Sequence, residues 1–149
     1  MKNGYREWLV SLVTVLLLVG AISSYSHVQE KQVEAAYDRN IQGIPKDISQ
    51  QTSEQKARIA YAKYLRDAGG LSDFRVDGVS ILKEKSEEEG FPCGHVRYSI
   101  KMRNVFSERW INGNGNLDEK SKWVNGKVAC VEFEEKDGEY FIHRQGTGW

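Results

Sequence analysis

Residues 95–103 read HVRYSIKMR, and apolar and polar side chains alternate through the whole stretch. Strict alternation is typical of a β-strand that has one face on a core and the other in solvent. The side chains predicted to face the core are those of Val96, Tyr98, Ile100 and Met102. The side chains predicted to face outward are those of His95, Arg97, Ser99, Lys101 and Arg103. The stretch therefore predicts a sheet whose outer face is rich in basic residues.

An amphipathic helix is predicted upstream of this strand. Thr52 and Gln55 have the spacing of a capping box, and Gly69 with Gly70 provides a stop signal. Between these signals, apolar residues recur at the spacing of a single helical stripe. They are Ala57, Ala60, Tyr61, Tyr64, Leu65 and Ala68. The segment therefore predicts one helix with one face on a core.

Three further strands are predicted around these two elements. Residues 74–81 alternate around Gly78, which marks a bulge. Residues 128–134 alternate again, and Asp137-Gly138 is a strong signal for a two-residue hairpin turn into a last strand. The order predicts the α+β class, with one helix packed on a four-stranded antiparallel sheet. In element order the chain resembles cystatin-like and NTF2-like rolls, a resemblance that carries no function.

The register of the two central strands is predicted from matching faces. Setting Val96 opposite Phe133 matches the apolar faces of both strands. The same register brings together two charged pairs, which are Arg97 with Glu132 and His95 with Glu134. Across the hairpin, His143 is expected to lie opposite Glu132.

The N-terminal segment is predicted to anchor the chain in a membrane. Residues 8–22 read WLVSLVTVLLLVGAI without a charge, and Lys2 and Arg6 before them favour a cytoplasmic N-terminus. We expect a single-pass inner-membrane protein that spans with residues 8–25 and holds its C-terminal domain in the periplasm. A cleaved secretory signal is the alternative. The predicted segments are an anchor over 1–26, a stalk and linker over 27–52, and an exported α+β domain over 53–149.

The two cysteines, Cys93 and Cys130, are predicted to form a disulfide, because both follow an export segment and disulfides persist outside the cytoplasm. The register above separates them by roughly 20 Å along the strands. A disulfide tolerates no more than ~7 Å between Cα atoms. Either the loop before Cys93 folds back, a large bulge intervenes, or these two strands are not neighbours.

Composition narrows the function classes. Lysine plus arginine and aspartate plus glutamate each number 21, and the resulting net charge of zero argues against nucleic acid as a partner. The sequence carries no recognisable catalytic or cofactor motif, and no His, Cys or carboxylate grouping has zinc-ligand spacing. Residues 112–116 mimic a calcium loop, but Leu117 and Trp123 stand where an EF-hand needs glycine and glutamate. We therefore expect no enzyme, no cofactor and no metal.

A docking surface is predicted on the basic strand face. Arg97, Lys101 and Arg103 would meet an acidic protein surface or lipid headgroups, with three tryptophans as exposed anchors. These tryptophans are Trp110, Trp123 and Trp149. The first hypothesis is a non-enzymatic, membrane-tethered periplasmic module that binds a protein partner in the cell envelope. It leaves open a subunit of an envelope or secretion assembly and an immunity or inhibitor protein.

Two alternatives belong to other classes. A small ligand-binding or hydrolytic roll would place its site between helix and sheet, with Tyr61, Tyr64 and Tyr98 as candidate lining residues. A basic leader ending in Gly4, followed by an aromatic residue and a long apolar helix, resembles type IV pilins and pseudopilins. That resemblance implies a filament subunit. Pilin-like proteins place glutamate at the fifth position after the leader, where this chain has Leu9.

Overall fold

The computed structural model describes residues 3–83, 91–103 and 107–146 of the chain. The chain divides into two compact units, the first ending at Gln32 and the second beginning at Val33. The first unit contains the N-terminal part of helix α1 (Asn3–Ile41). The second unit contains the end of α1, the remaining elements and the hydrophobic core.

None of the helices in the described part of the chain combines the length and the apolar character that a membrane crossing requires. This finding contradicts the transmembrane helix predicted over residues 8–25.

The second unit is an α+β fold with one open antiparallel sheet of five strands. Its helices after α1 are α2 (Ser53–Asp67) and α3 (Glu108–Ile111), with a short 3-10 turn at Ile48–Gln50. Its strands are β1 (Leu71–Lys83), β2 (Cys93–Met102), β3 (Asn116–Asp118), β4 (Trp123–Lys136) and β5 (Glu139–Gly146). The strand order is β1-β2-β4-β3, and β5 also pairs with β4. The predicted class is confirmed, and the sheet gains a strand over the predicted four because the short β3 pairs with the start of β4.

Helix α2 begins at the predicted cap. The Thr52 hydroxyl accepts a hydrogen bond from the Gln55 backbone amide (3.3 Å), and the Gln55 side chain accepts one from the Thr52 amide (2.9 Å). These bonds satisfy two of the donors that the start of a helix leaves unpaired. Most of the predicted stripe faces the core. The buried side chains of α2 are those of Ala57, Ala60, Tyr61, Ala62 and Leu65.

The alternating stretch forms β2, the strand between β1 and β4. The predicted core residues of this strand are all buried, and they are Val96, Tyr98, Ile100 and Met102. The predicted bulge in β1 is present, because the register shifts between Val76 and Gly78 and leaves Asp77 without a direct partner in β2. The Asp137-Gly138 turn also forms, with positive φ at both residues as a type I′ hairpin requires.

The end of α1 belongs to the core of the second unit. Val33 and Ala36 are buried there, and Asn40 bonds to the edge of β1. The Asn40 amide nitrogen donates to the Phe74 carbonyl (3.1 Å), and its oxygen accepts from the Val76 amide (2.6 Å). The compact unit therefore includes part of the segment that is predicted as a stalk and linker.

The pairing of β2 with β4 differs from the predicted register. Ala129, and not Phe133, lies opposite Val96, a shift of four residues. A shift by one residue exchanges the two faces of a strand, whereas an even shift keeps them. Matching faces therefore cannot distinguish the two registers, and the predicted one is wrong.

The charged pairs predicted from that register are wrong as well. The partners found across β2 and β4 are Val128 for Arg97, Cys130 for His95 and Glu132 for Cys93. Glu134 pairs instead with Lys136, with 3.0 Å between carboxylate and ammonium. The basic residues of β2 are therefore not neutralised by the acids of β4.

Glu132 is held by β5. Arg144 lies opposite it, and the guanidinium donates to its carboxylate at 2.7 Å. The β4–β5 register shifts between Glu132 and Phe133, so the predicted pair of Glu132 with His143 is wrong. The His143 ring stacks on Phe91, with 4.3 Å between ring centroids.

Cys93 and Cys130 are both free thiols, so the predicted disulfide is wrong. Cys93 lies opposite Glu132 and Cys130 opposite His95, which places the two cysteines diagonally on neighbouring strands. Diagonal partners stand roughly 7–8 Å apart. That separation exceeds the limit for a disulfide of ~7 Å between Cα atoms.

We expect thiol labelling to find both cysteines unbonded, because the register holds their sulfurs apart. Protein denatured without reductant and treated with a maleimide should carry two adducts per chain, one for each cysteine in the sequence, as counted by mass spectrometry. Prior reduction should add no further label. A chain that takes up label only after reduction would contradict the pairing of β2 with β4.

Gly94 lies opposite Ile81, at a point where β2 leaves no room for a side chain against β1. A Cβ atom at this position would overlap the Ser80 carbonyl oxygen, a backbone atom that cannot rotate away. We expect Gly94→Ala to lower the free energy of unfolding by about 1–3 kcal/mol, the range for overpacking a buried site. The measurement is urea denaturation.

The matched control is Gly78→Ala, because a Cβ at Gly78 meets no atom within 4 Å. The control should change stability by no more than about 0.5 kcal/mol. Equal stabilities of the two variants would speak against the pairing of β1 with β2.

Candidate functional site

The outer face of the sheet carries three cations and one tryptophan that form a candidate site. We call this cluster the basic face and define it by Arg75, Arg97, Lys101 and Trp123. Lys101 lies opposite Trp123 in the sheet, and the Arg75 guanidinium stands 4.6 Å from the centroid of the Trp123 ring. Arg75 and Arg97 are exposed, whereas Lys101 and Trp123 are half-buried. The face therefore combines a cation–π stack with two further cations, of which Lys101 lies opposite the tryptophan.

A polar network fixes Arg75 in this stack. Arg75 donates to the side-chain oxygen of Asn125 (3.2 Å) and lies 3.8 Å from the Asp77 carboxylate. The Ser99 hydroxyl donates to Asp77 (2.7 Å) and accepts from the Gly126 amide (3.2 Å). Asp77 is the bulged residue of β1, so the bulge supplies the carboxylate that orients one end of the basic face.

The other two cations of the face have no acidic neighbour in residues 3–83, 91–103 and 107–146. No carboxylate there stands within 4.0 Å of Arg97 or Lys101. The two acids predicted to neutralise them are engaged elsewhere, Glu132 with β5 and Glu134 with Lys136. The basic face therefore keeps a net positive charge from Arg97 and Lys101.

The other predicted site residues within the described ranges are Arg103 and Trp110, and both make structural contacts. Arg103 follows the last residue of β2, and its guanidinium donates to the Leu71 carbonyl at 3.1 Å, so it helps to join β1 to β2. Trp110 lies in α3 and is only 4 % exposed, so it cannot act as an exposed anchor. Trp149 lies outside the described residues. Trp123 is the predicted tryptophan that the basic face contains.

Sequence reasoning missed Arg75, although a signal for it exists. Arg75 stands between Phe74 and Val76, so alternation assigns it to the outer face once those two residues are assigned to the core. The sequence does not show that Arg75 lies opposite Ser99, on the strand next to the predicted basic residues. That neighbour relationship depends on the pairing of β1 with β2.

A second patch of the outer face contains two opposed pairs of residues on β2 and β4. Cys93 lies opposite Glu132, and His95 lies opposite Cys130. Glu132 is buried, with one carboxylate oxygen on Arg144 and the other without a hydrogen-bond partner in the described part of the chain. No group of three or more His, Cys, Asp or Glu side chains among the described residues could hold a metal ion. The patch therefore has no geometry for a metal centre.

The asparagine-rich loop before β3 surrounds a lysine. The Lys127 ammonium donates to the backbone carbonyls of Asn112 (3.1 Å) and Asn114 (2.8 Å). Burial lowers the pKa of Lys127 below its ordinary value. The Asn114 side chain also bonds to the Val128 amide (2.9 Å) and carbonyl (2.8 Å). Two carbonyls of the loop that mimics a calcium site thus bind a cation that belongs to the chain itself.

The tyrosines predicted to line a pocket are packed against one another. Tyr61 is 1 % exposed, and its ring centroid lies 5.1 Å from that of Tyr98 and 5.5 Å from that of Tyr64. Burial raises the pKa of the Tyr61 and Tyr98 hydroxyls above the ordinary tyrosine value. The Tyr64 hydroxyl accepts hydrogen bonds from Arg109 (3.2 Å) and Gln145 (2.6 Å). Tyr61 and Tyr98 therefore fill the space between helix and sheet.

Comparisons with protein families, curated proteins and solved structures give no match to this chain. A functional proposal for this chain therefore depends on the chemistry of its surface residues.

Alkaline pH should lower the stability of the domain through its buried tyrosines. Above pH ~10, the ordinary tyrosine pKa, the unfolded chain loses phenolic protons that Tyr61 and Tyr98 retain in the folded state. The folded state then binds more protons, so the stabilisation is fully present below pH ~10 and declines as the pH rises further. We expect Tyr61→Phe to weaken this decline in urea denaturation. Phenolate absorbance from all seven tyrosines in the folded protein would contradict a packed tyrosine core.

Proposed function

We propose that this domain is a non-enzymatic protein-binding module that docks an acidic surface of a partner protein on its basic face. The observation that carries the proposal is that Arg97 and Lys101 share the outer sheet face with the Arg75–Trp123 stack, and neither has a carboxylate within 4.0 Å in the described residues. Arginine and tryptophan are residue types that dominate the energetics of protein interfaces. An acidic partner would supply the carboxylates that Arg97 and Lys101 lack.

The geometry of the basic face suits association with a macromolecule. The guanidinium of Arg75 is already held by Trp123, Asn125 and Asp77. Less side-chain entropy is lost when an anchor is ordered before the partner arrives. Exposed charges such as that of Arg97 attract an acidic surface at long range and raise the rate of association.

The packed core supports a binding surface over the alternative of a ligand-binding or hydrolytic roll. Tyr61 and Tyr98 occupy the space in which such a roll would hold its ligand. We retain a cystatin-like or NTF2-like roll as the proposed finer fold, on the basis of element order. A periplasmic location, and a role as an assembly subunit or as an immunity or inhibitor protein, are parts of the same proposal.

Reversal of two charges should abolish partner capture. The variant combines Arg97→Glu with Lys101→Glu, and the fold should survive because both side chains face away from the core. Crosslinking and pull-down from cells that express the protein, quantified by mass spectrometry, should show at least a roughly tenfold loss of the partner, since like charges then meet across the interface. Circular dichroism checks the fold.

The charge-matched control combines Lys120→Glu with Lys136→Glu, two exposed positions outside the basic face. The partner should be retained by this control, and higher salt should weaken its capture by the unaltered protein. Capture of the same proteins by both variants would overturn the proposal. Binding to vesicles that contain phosphatidylserine, without capture of a protein, would assign the basic face to lipid headgroups instead.

A further inference from the structure

A groove lies between helix α2 and strand β5. It consists of a cavity of about 360 Å³ and a neighbouring cavity of about 470 Å³. The two cavities share Ala60, Lys63, Tyr140 and Phe141, so they form one continuous depression. We call this depression the α2–β5 groove. It is separate from the basic face, and none of the four residues that define that face lines it.

The length of the groove suits an extended peptide. The residues of α2 that border it run from Lys56 to Asp67, which corresponds to roughly 17 Å of helix at ~1.5 Å per residue. An extended chain rises ~3.3 Å per residue, so about five or six residues would fill this length. The groove is therefore of a size for a short strand.

Positive charge dominates the lining of the groove. The cations are Lys46, Lys56, Lys63, Arg66 and Arg109, and the acids are Glu139 and Asp67. Two of the cations have carboxylate partners. Lys56 pairs with Glu135 (3.1 Å), and Arg66 pairs with Asp67 (2.7 Å). Lys46 and Lys63 have no carboxylate within 4.0 Å in the described part of the chain. These two exposed lysines favour an anionic occupant.

An exposed aromatic residue lies beside one of these lysines. Phe141 is 38 % exposed, and the Lys63 ammonium stands 5.7 Å from its ring centroid. Tyr140 stacks on Phe133 of the core at 5.6 Å between centroids, so the floor of the groove is rigid. The groove thus offers both charge and apolar surface.

The edge strands β1 and β5 differ in how their outer edges are closed. On β1, the Phe74 carbonyl and the Val76 amide are bonded by Asn40, and the Val76 carbonyl accepts a bond from Arg58. On β5, one edge pairs with β4, and no strand among the described residues pairs with the other. An unpaired strand edge is a template for the addition of another strand.

We propose that the α2–β5 groove binds an acidic segment of a partner protein in extended conformation, added as a strand to the free edge of β5. The main chain of the segment would bond to β5, and alternate side chains would contact Phe141 or the lysines. The acidic residues of the segment would pair with Lys46 and Lys63. This inference does not depend on the basic face, because the supporting residues and the strand edge are different.

The test uses a fluorescein-labelled peptide of sequence Glu-Val-Glu-Tyr-Glu-Val-Glu and fluorescence anisotropy. We expect saturable binding to the full chain, and at least a roughly tenfold weaker affinity for Lys46→Glu combined with Lys63→Glu. Both lysines are exposed, so the fold should persist. The control combining Lys120→Glu with Lys136→Glu should bind the peptide as the unaltered chain does.

A second peptide, N-methylated at alternate positions, tests the addition of a strand, because methylation removes the backbone donors that pairing requires. We expect it to bind at least tenfold more weakly, by the same order-of-magnitude criterion. Equal binding of both peptides, equal binding by the Lys46/Lys63 variant, or no saturable binding would overturn the proposal. The proposal would also be overturned if the unaltered chain bound no peptide but self-associated, and the Lys46/Lys63 variant did not. The groove would then be assigned to a second copy of this chain. Since Arg97 and Lys101 are unchanged throughout, failure here leaves the basic face untested and its proposal standing.

Discussion

The pairing of β2 with β4 is the constraint on which the rest of the domain depends. β2 lies between β1 and β4, and its apolar side faces the core that α2 completes. The register of this pair decides which outer residues meet, and it sets Lys101 opposite Trp123. It also sets Glu132 away from Arg97, so the cations of the basic face keep their charge. A strand that slid by four residues would preserve the core pattern and neutralise the outer face.

Elements with a local cause could be predicted from the sequence. The start of α2 depends on Thr52 and Gln55, which lie within one turn of each other. The bulge at Asp77 and the turn at Asp137-Gly138 depend on glycine and on short-range geometry. The apolar side of β2 follows from alternation alone. Fold class and the outward direction of Arg97 and Lys101 follow from these local features.

Features with a non-local cause could not be predicted in the same way. The side chains of a strand return to the same face every two residues, so matching the faces of two strands does not distinguish registers that differ by an even number of residues. The resulting error in register gave wrong partners for Arg97 and His95. Trp110 is buried because α3 packs into the core, and a helix of four residues is too short to be predicted from its sequence pattern. The free edge of β5 depends on which strands close the sheet, a property of the whole topology.

Nuclear magnetic resonance can determine the register of β2 on β4, which separates Arg97 from Glu132. Cross-strand nuclear Overhauser contacts between backbone protons report which residues of β2 and β4 lie opposite one another. We expect nuclear Overhauser contacts between Val96 and Ala129 and between Arg97 and Val128. Contacts between Val96 and Phe133 would contradict this expectation, because that register brings Glu132 to Arg97 and removes the uncompensated charge from the basic face.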